Sequence, residues 1–144
     1  MKTGKVLQLF TTCNDAEKTR LSPQTIKLDN DGILTDKFYE KDLLRSVLIT
    51  SIDSYKLVED AGISIEYGLL GENILVDINP YSLLPGERFS IGETEFEITQ
   101  NCTLCKGLSS VSSKLPKILK NDRGVFAKVV NGESSISVGD VIKI

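Results

Sequence analysis

Two cysteines two residues apart, Cys102 and Cys105, stand where the strand-like run "EFEITQ" gives way to "NCTLCKGL". A thiolate is both a nucleophile and a soft metal ligand, so a Cys-x-x-Cys at a strand end admits several chemistries. The composition removes some of them. A structural zinc site needs four soft or nitrogen ligands. The chain has three cysteines and no histidine, and the third, Cys13, is far away in a polar stretch and reads as a bystander. Neither zinc nor an iron–sulfur cluster, which takes four thiolates, is expected. A thioredoxin-like dithiol belongs at a helix N-terminus in a βαβ unit, and the pattern around this pair is β-rich. What stays open is a pair of inert, buried thiols, a thiolate serving a metal centre carried by another molecule, or a sulfur atom held in transit as a persulfide.

The charge pattern bears on that choice. Net charge is −3, which argues against a general nucleic-acid binder. The excess of acid lies in residues 1–100. Residues 101–130 carry Lys106, Lys114, Lys117, Lys120, Arg123 and Lys128 against the single acid Asp122. That basic run begins at the cysteine pair. It reads either as a solvated face or as a local positive field that favours thiolate and attracts an anion.

The elements that must position these residues are mostly strands. At 144 residues, with 40% apolar and 26% charged side chains, the chain fits one globular domain, 1–144. No apolar run reaches the ~18 residues of a membrane span, and "MKTGKVLQLFTTCND" lacks the pattern of a signal peptide. The expectation is a cytoplasmic protein with reduced thiols and no membrane or nucleic-acid partner. Strands are expected at "GKVLQLF", at "TIKLDNDGIL" with an Asn-Asp-Gly turn, at the β-branched run "RSVLITSI", and between the glycines of "GLLGENILVDI". Two more lie either side of Gly92, and "GVFAKVVNGESSISVGDVIKI" reads as a hairpin. "TTCNDAEKTRLSPQ" and "TDKFYEKDLL" read as loops. "SIDSYKLVEDAGI" reads as a short helix capped by Ser51 or Asp53, with Leu57 and Val58 on one side and Gly62 as the stop. "GLSSVSSKLPKILKND" reads as a mixed segment with at most a turn or two of helix broken at Pro116. Gly124, Gly132 and Gly139 read as turn devices rather than a phosphate cradle. About seven short strands and one clear helix indicate a mostly-β, barrel-like domain.

The ordered set "GERFSIGETEFEITQNCTLCKGL" then "RGVFAKVVNGESSISVGDVIKI" resembles the MOSC domain family, named after the C-terminal domain of molybdenum-cofactor sulfurases. Members carry a similar Arg-Gly-Val-(Phe/Tyr)-Ala element, an Asn/Gly turn and a Val-Gly-Asp before the last strand. Their signature cysteine lies about five residues past an Ile-(Thr/Ser)-Gln, which Cys105 matches and Cys102 does not. "GILTDKF" with "RSVLIT", and "GLLGENILVD", look like further family elements, so the resemblance spans roughly residues 4–144. It departs at Thr35, where glycine is usual, and at Phe38 and Lys106, where histidine is usual.

The resemblance implies a β-barrel like that of the pyruvate kinase β-barrel domain. It also implies binding of molybdenum cofactor, or sulfur handling supplied by a partner such as a cysteine desulfurase, and leaves open whether the chain is an enzyme. In larger relatives with a similar Cys-x-x-Cys, the second cysteine ligates molybdenum, a role that would fall to Cys105. Lys106 and Arg123 become candidates for lowering the thiol pKa and receiving the cofactor's phosphate, with Arg45 next. Asn73 is expected to tie down its loop or touch the ligand, and Asp36 to hold its own turn through backbone bonds. A member that has lost the chemistry and serves as a binding module is the remaining alternative.

Overall fold

In the computed structural model, the described residues are 2–13, 17, 19–37, 39–41, 43–102, 114–120 and 122–144. Seven strands close into a barrel: β1 (Thr3–Leu9), β6 (Val47–Ser51), β7 (Ile74–Val76), β8 (Arg88–Ile91), β9 (Thr94–Asn101), β10 (Val125–Val129) and β12 (Val141–Lys143), in the order β1-β12-β8-β9-β10-β6-β7. Neighbours are antiparallel except β6 and β7, which run parallel. A parallel pair needs a crossover, and helix α1 (Ile52–Asp60) lies in it. Outside the barrel, β4 (Thr25–Asp29) pairs with β5 (Gly32–Ile33) and with β11 (Ser134–Ser137). β2 (Thr11–Thr12) pairs with β3 (Arg20–Leu21).

The two-residue period of a strand decides what each face meets. Along β9, Thr94, Phe96 and Ile98 are buried while the residues between them are partly exposed. Phe96 stacks on Phe89 with ring centroids 5.2 Å apart. Val47 and Ile49 of β6 join Val125, Ala127 and Val129 of β10 in the barrel core. The residues between them face the other way, and β6 is nevertheless buried at every position. Leu48 and its register partner Phe126 form a small cluster with Cys102 on the outer wall. A third cluster, including Phe10, Tyr55, Val58, Leu70 and Leu75, packs α1 and the short helix α2 (Leu115–Ile118) against the barrel.

Several expectations need correction. The Asn-Gly at 131–132 does not join a hairpin: β10 pairs with β9 and β6, and β11 leaves the barrel to pair with β4. The polar stretch after β1 is not all loop, because Thr12 and Arg20 meet across the β2–β3 ribbon. Leu57 is 39% exposed, and Tyr55 and Val58 form the buried face of α1 instead. Pro116 starts α2 rather than breaking it, since a first-turn amide has no intrahelical acceptor to lose. Gly132 and Gly139 do adopt positive φ, but Gly124 does not.

Candidate functional site

A cavity of about 690 Å³ opens against the outer wall of the barrel at β6 and β10, within the range of small-molecule sites. Leu48, Phe126 and Cys102 supply its apolar floor. The sides come from Thr12, Arg20, Asp36, Lys37, Arg45, Asn73 and Arg123 and from the loop Gly68–Glu72. Among the described residues, four cationic side chains against one carboxylate, Asp36, give this wall a positive bias.

Each cation is delivered by a different device. Arg45 ends a 3-10 turn, Leu43–Arg45, whose Leu44 carbonyl accepts a bond from Thr99 Oγ1 at 2.5 Å. Thr99 is the extra residue of a bulge in β9, where the partners of β10 shift between Phe126 and Ala127. Arg123 donates from Nε and Nη2 to the Leu70 carbonyl, at 3.1 and 2.9 Å. Arg20 donates from Nη1 to Thr12 Oγ1 at 3.0 Å and from Nη2 to the carbonyls of Gly68 and Glu72, at 3.1 and 2.5 Å. It also lies over the Phe10 ring, 5.4 Å from the centroid. Burial draws its pKa down, opposed by the charges of Glu72, Asp36 and Tyr55.

Two arginines therefore grip three carbonyls of one loop. Gly71 sits in that loop with φ +87°, and a Cβ there would lie 3.4 Å from Arg123 Nη2. A glycine at this point suits the backbone and leaves the guanidinium room on that side.

Asn73 and Asp36 form the polar frame below. Asn73 Oδ1 accepts from the Leu48 amide at 3.0 Å, and its Nδ2 donates to the Phe10 carbonyl and to Asp36 Oδ1. Asp36 Oδ1 also accepts from the Thr12 amide at 2.8 Å. Asp36 thus bonds across to β2, a longer reach than the bond within its own turn that the sequence suggested. A carboxylate can serve several donors at once, and here it joins segments distant in sequence.

Beneath the loop, Glu72 is fully buried. Its Oε2 accepts from the Tyr55 hydroxyl at 2.5 Å and from the Gly68 amide at 3.3 Å, while Oε1 has no hydrogen-bond partner among the described residues. Burial is the largest influence on this carboxyl and pushes its pKa up. The Tyr55 hydroxyl, the Glu72 and Gly68 amides and the Arg20 charge pull it down. Burial and the Glu72 charge raise the Tyr55 phenol in turn.

Of the residues singled out from the sequence, Asp36, Arg45, Asn73, Cys102 and Arg123 meet around this one cavity. Cys102 is 3% exposed, in the floor. Cys105, Lys106 and Phe38 lie outside the described residues. Among the described members of the basic run 101–130, only Arg123 lines the cavity. Lys114, Lys117 and Lys120 are exposed on and beside α2, and Lys128 pairs with Glu97 at 3.5 Å on the barrel surface. The other cavity cations come from the acidic part of the chain. Arg20, Lys37, Glu72 and Tyr55 were not anticipated. Lys37 follows Asp36 directly and could have been included with it. Arg20 stands in a polar stretch without periodicity, and only the β2–β3 pairing brings it to the loop. Cys13 is half-buried, with its amide donating to the Thr19 carbonyl at 2.8 Å.

Among the described residues, no helix is long and apolar enough to cross a membrane. No curated protein sequence matches the chain. Its fold is similar to that of the YUAD protein from Bacillus subtilis, at a TM-score of 0.83 and 18% identity over 98% of this chain and 94% of that one. It is also similar to YiiM from Geobacillus stearothermophilus, at a TM-score of 0.70 and 14% identity over 96% of this chain and 73% of that one. For YiiM from Escherichia coli the values are 0.69 and 18%, over 99% and 69%. The family model of the MOSC domain matches residues 42–143, and on that match the chain belongs to the MOSC domain family.

Proposed function

We propose that the cavity beside β6 and β10 binds an anionic cofactor of the molybdenum-cofactor type, in a single-domain cytoplasmic protein, with the Cys105 thiolate as the soft ligand. The observation that carries this reading is the convergence of Arg20, Lys37, Arg45 and Arg123 on one cavity whose floor is apolar and contains Cys102. A pterin dithiolene with a phosphate combines a flat ring system with a negatively charged tail. The residues fit such a group: Leu48 and Phe126 give the ring an apolar surface, and the guanidinium forks suit a phosphate.

When bound, the cofactor would supply a thiophilic metal. The chain's own residues bind and orient. Arg45 and Arg123, with Lys106, receive the anionic tail. Asn73 and Asp36 hold β2, β6 and the Phe10 carbonyl in fixed relation, which keeps the cavity's shape. Cys102 packs against Leu48 and Phe126 and anchors the start of the segment that leads to Cys105.

The experiment is to express the protein in cells that make molybdenum cofactor, then measure bound molybdenum by elemental mass spectrometry and pterin by fluorescence. Wild type is expected to carry both, and Cys105→Ala to lose the metal. A chain that carries neither contradicts the reading.

A soft thiolate in a chain without histidine also suits a second reading, a sulfur carrier without metal. In that case the Cys105 thiolate attacks the terminal sulfur of a cysteine desulfurase persulfide. The donor's S–S bond breaks, the donor cysteine leaves as thiolate, and a new S–S bond forms at Cys105, with no oxidant consumed. Incubation with a desulfurase and cysteine would then add the mass of one sulfur at Cys105 and nothing in Cys105→Ala.

A further inference from the structure

The loop Gly68–Glu72 is a wall of the cavity, and it is held from both sides. Arg20 and Arg123 hold its carbonyls from the cavity side. From the protein side, the Tyr55 hydroxyl accepts from the Gly68 amide at 2.9 Å and donates to Glu72 Oε2. Glu72 is the last residue of the loop and has no exposed surface, and among the described residues its Oε1 has no hydrogen-bond partner. A carboxylate in that position would be a buried charge with one oxygen unsatisfied. The nearest guanidinium, Arg20, bonds the backbone carbonyl of Glu72 rather than its carboxyl group.

Among the described residues, few charged and titratable groups face Glu72. Tyr55 faces it from α1 and Arg20 from β3, and Tyr81, beyond β7, feels its charge. Asp36 acts on the same Arg20 and competes for it. Tyr55 and Tyr81 stay neutral at ordinary pH, since burial raises both phenols. The Tyr55 hydroxyl and the Glu72 and Gly68 amides favour a Glu72 carboxylate against burial, and Arg20 is the one cation among the described residues that does so. Its bonds go to the Thr12 hydroxyl and to the Gly68 and Glu72 carbonyls.

We propose that Glu72 carries a proton in the resting protein, and that loss of this proton draws Arg20 from the loop carbonyls and weakens anion binding in the adjacent cavity. Both consequences of ionisation act in one direction. A negative charge arrives beside the cavity, and the wall that places Arg20 and Arg123 loses its anchor. The acid is internal to the fold, so the coupling does not depend on which anion is the natural ligand. Its second half rests on the anion-site reading above.

The test uses the whole protein, from about pH 5 to about pH 9, with sulfate as the probe because its charge is constant over that range. Infrared difference spectra between wild type and Glu72→Gln isolate the Glu72 carboxyl band, and calorimetry gives the sulfate affinity. The expected result is a protonated-carboxyl band in wild type at neutral pH that disappears on raising the pH. Sulfate affinity should fall several-fold over the same transition, and Glu72→Gln should show neither change. Tyr55→Phe removes a donor that favours the ionised form, so its transition should move to higher pH. A carboxylate band for Glu72 at the acid end of the range overturns the proposal. Sulfate binding with the same pH dependence in wild type and Glu72→Gln overturns the coupling alone. No sulfate binding in any of the three proteins overturns the anion-site reading on which the coupling rests.

Discussion

Gly124 has no room for a side chain. A Cβ there would lie 2.8 Å from the Ile49 carbonyl and from Thr50 Oγ1, and 2.9 Å from Leu48 Cδ1. The glycine is required by the close approach of β10 to β6, not by a turn, and Thr50 Oγ1 bonds the carbonyl of the preceding Arg123 at 2.8 Å. Gly124→Ala is expected to lower stability by about 1–3 kcal/mol, read by denaturant unfolding. Glu72 gives a second prediction at this scale. Burial raises its folded pKa above the ordinary 4.5, so between those two values the folded state holds a proton that the unfolded chain has lost. The contribution of Glu72 to stability is therefore complete below 4.5 and is lost as pH rises through the folded value. Unfolding of wild type across that window should show the decline, and Glu72→Gln should remove that part of it. Residues such as Asn73 and Asp36 were legible because they belong to short ordered motifs. Glu72 stands in one of those motifs too, but nothing in a sequence reveals that a glutamate will be sealed beneath a tyrosine.

Among the elements, α1 was legible almost to the residue because its start is a local matter. Ser51 caps it, the hydroxyl accepting from the Asp53 amide at 3.1 Å, and Gly62 follows it at φ +83°. Ser51→Ala should cost about 1 kcal/mol, measured as a lowered unfolding midpoint, and should leave the barrel's register unchanged. β6 was equally legible, since a β-branched run buried on both faces has little alternative to a strand. The last segments were not. The Asn-Gly at 131–132 has the chemistry of a tight turn, and Gly132 has the positive φ that goes with it. Its flanking strands nevertheless diverge, because β11 finds β4 about a hundred residues earlier in the chain. Pairing across that separation is decided by the core, not by the turn. The two-residue strands β2 and β3 escaped for a related reason: each is too short to show a period.

At the scale of the whole molecule, closing seven strands into a barrel leaves no free edge and fills the interior with side chains. Ligand chemistry is thereby pushed to the outer wall. The cavity forms where the β9 bulge, the Leu43–Arg45 turn, the β2–β3 ribbon and the Gly68–Glu72 loop meet over β6 and β10. The linear charge pattern placed the positive field after residue 100, whereas among the described residues the cavity draws it from Arg20, Lys37 and Arg45 as well as Arg123. Net charge along a sequence reports composition, whereas the field in a cavity depends on which loops the barrel gathers at one end. Arg45 is the most direct handle on that field, being exposed at the cavity rim and outside all three hydrophobic clusters. The decisive measurement is the molybdenum and pterin content per chain of wild type and Arg45→Glu, purified from cells that make the cofactor, with unfolding midpoints matched. The account predicts that wild type carries both and that charge reversal removes most of each. Equal content in the two proteins, or none in wild type, would contradict it.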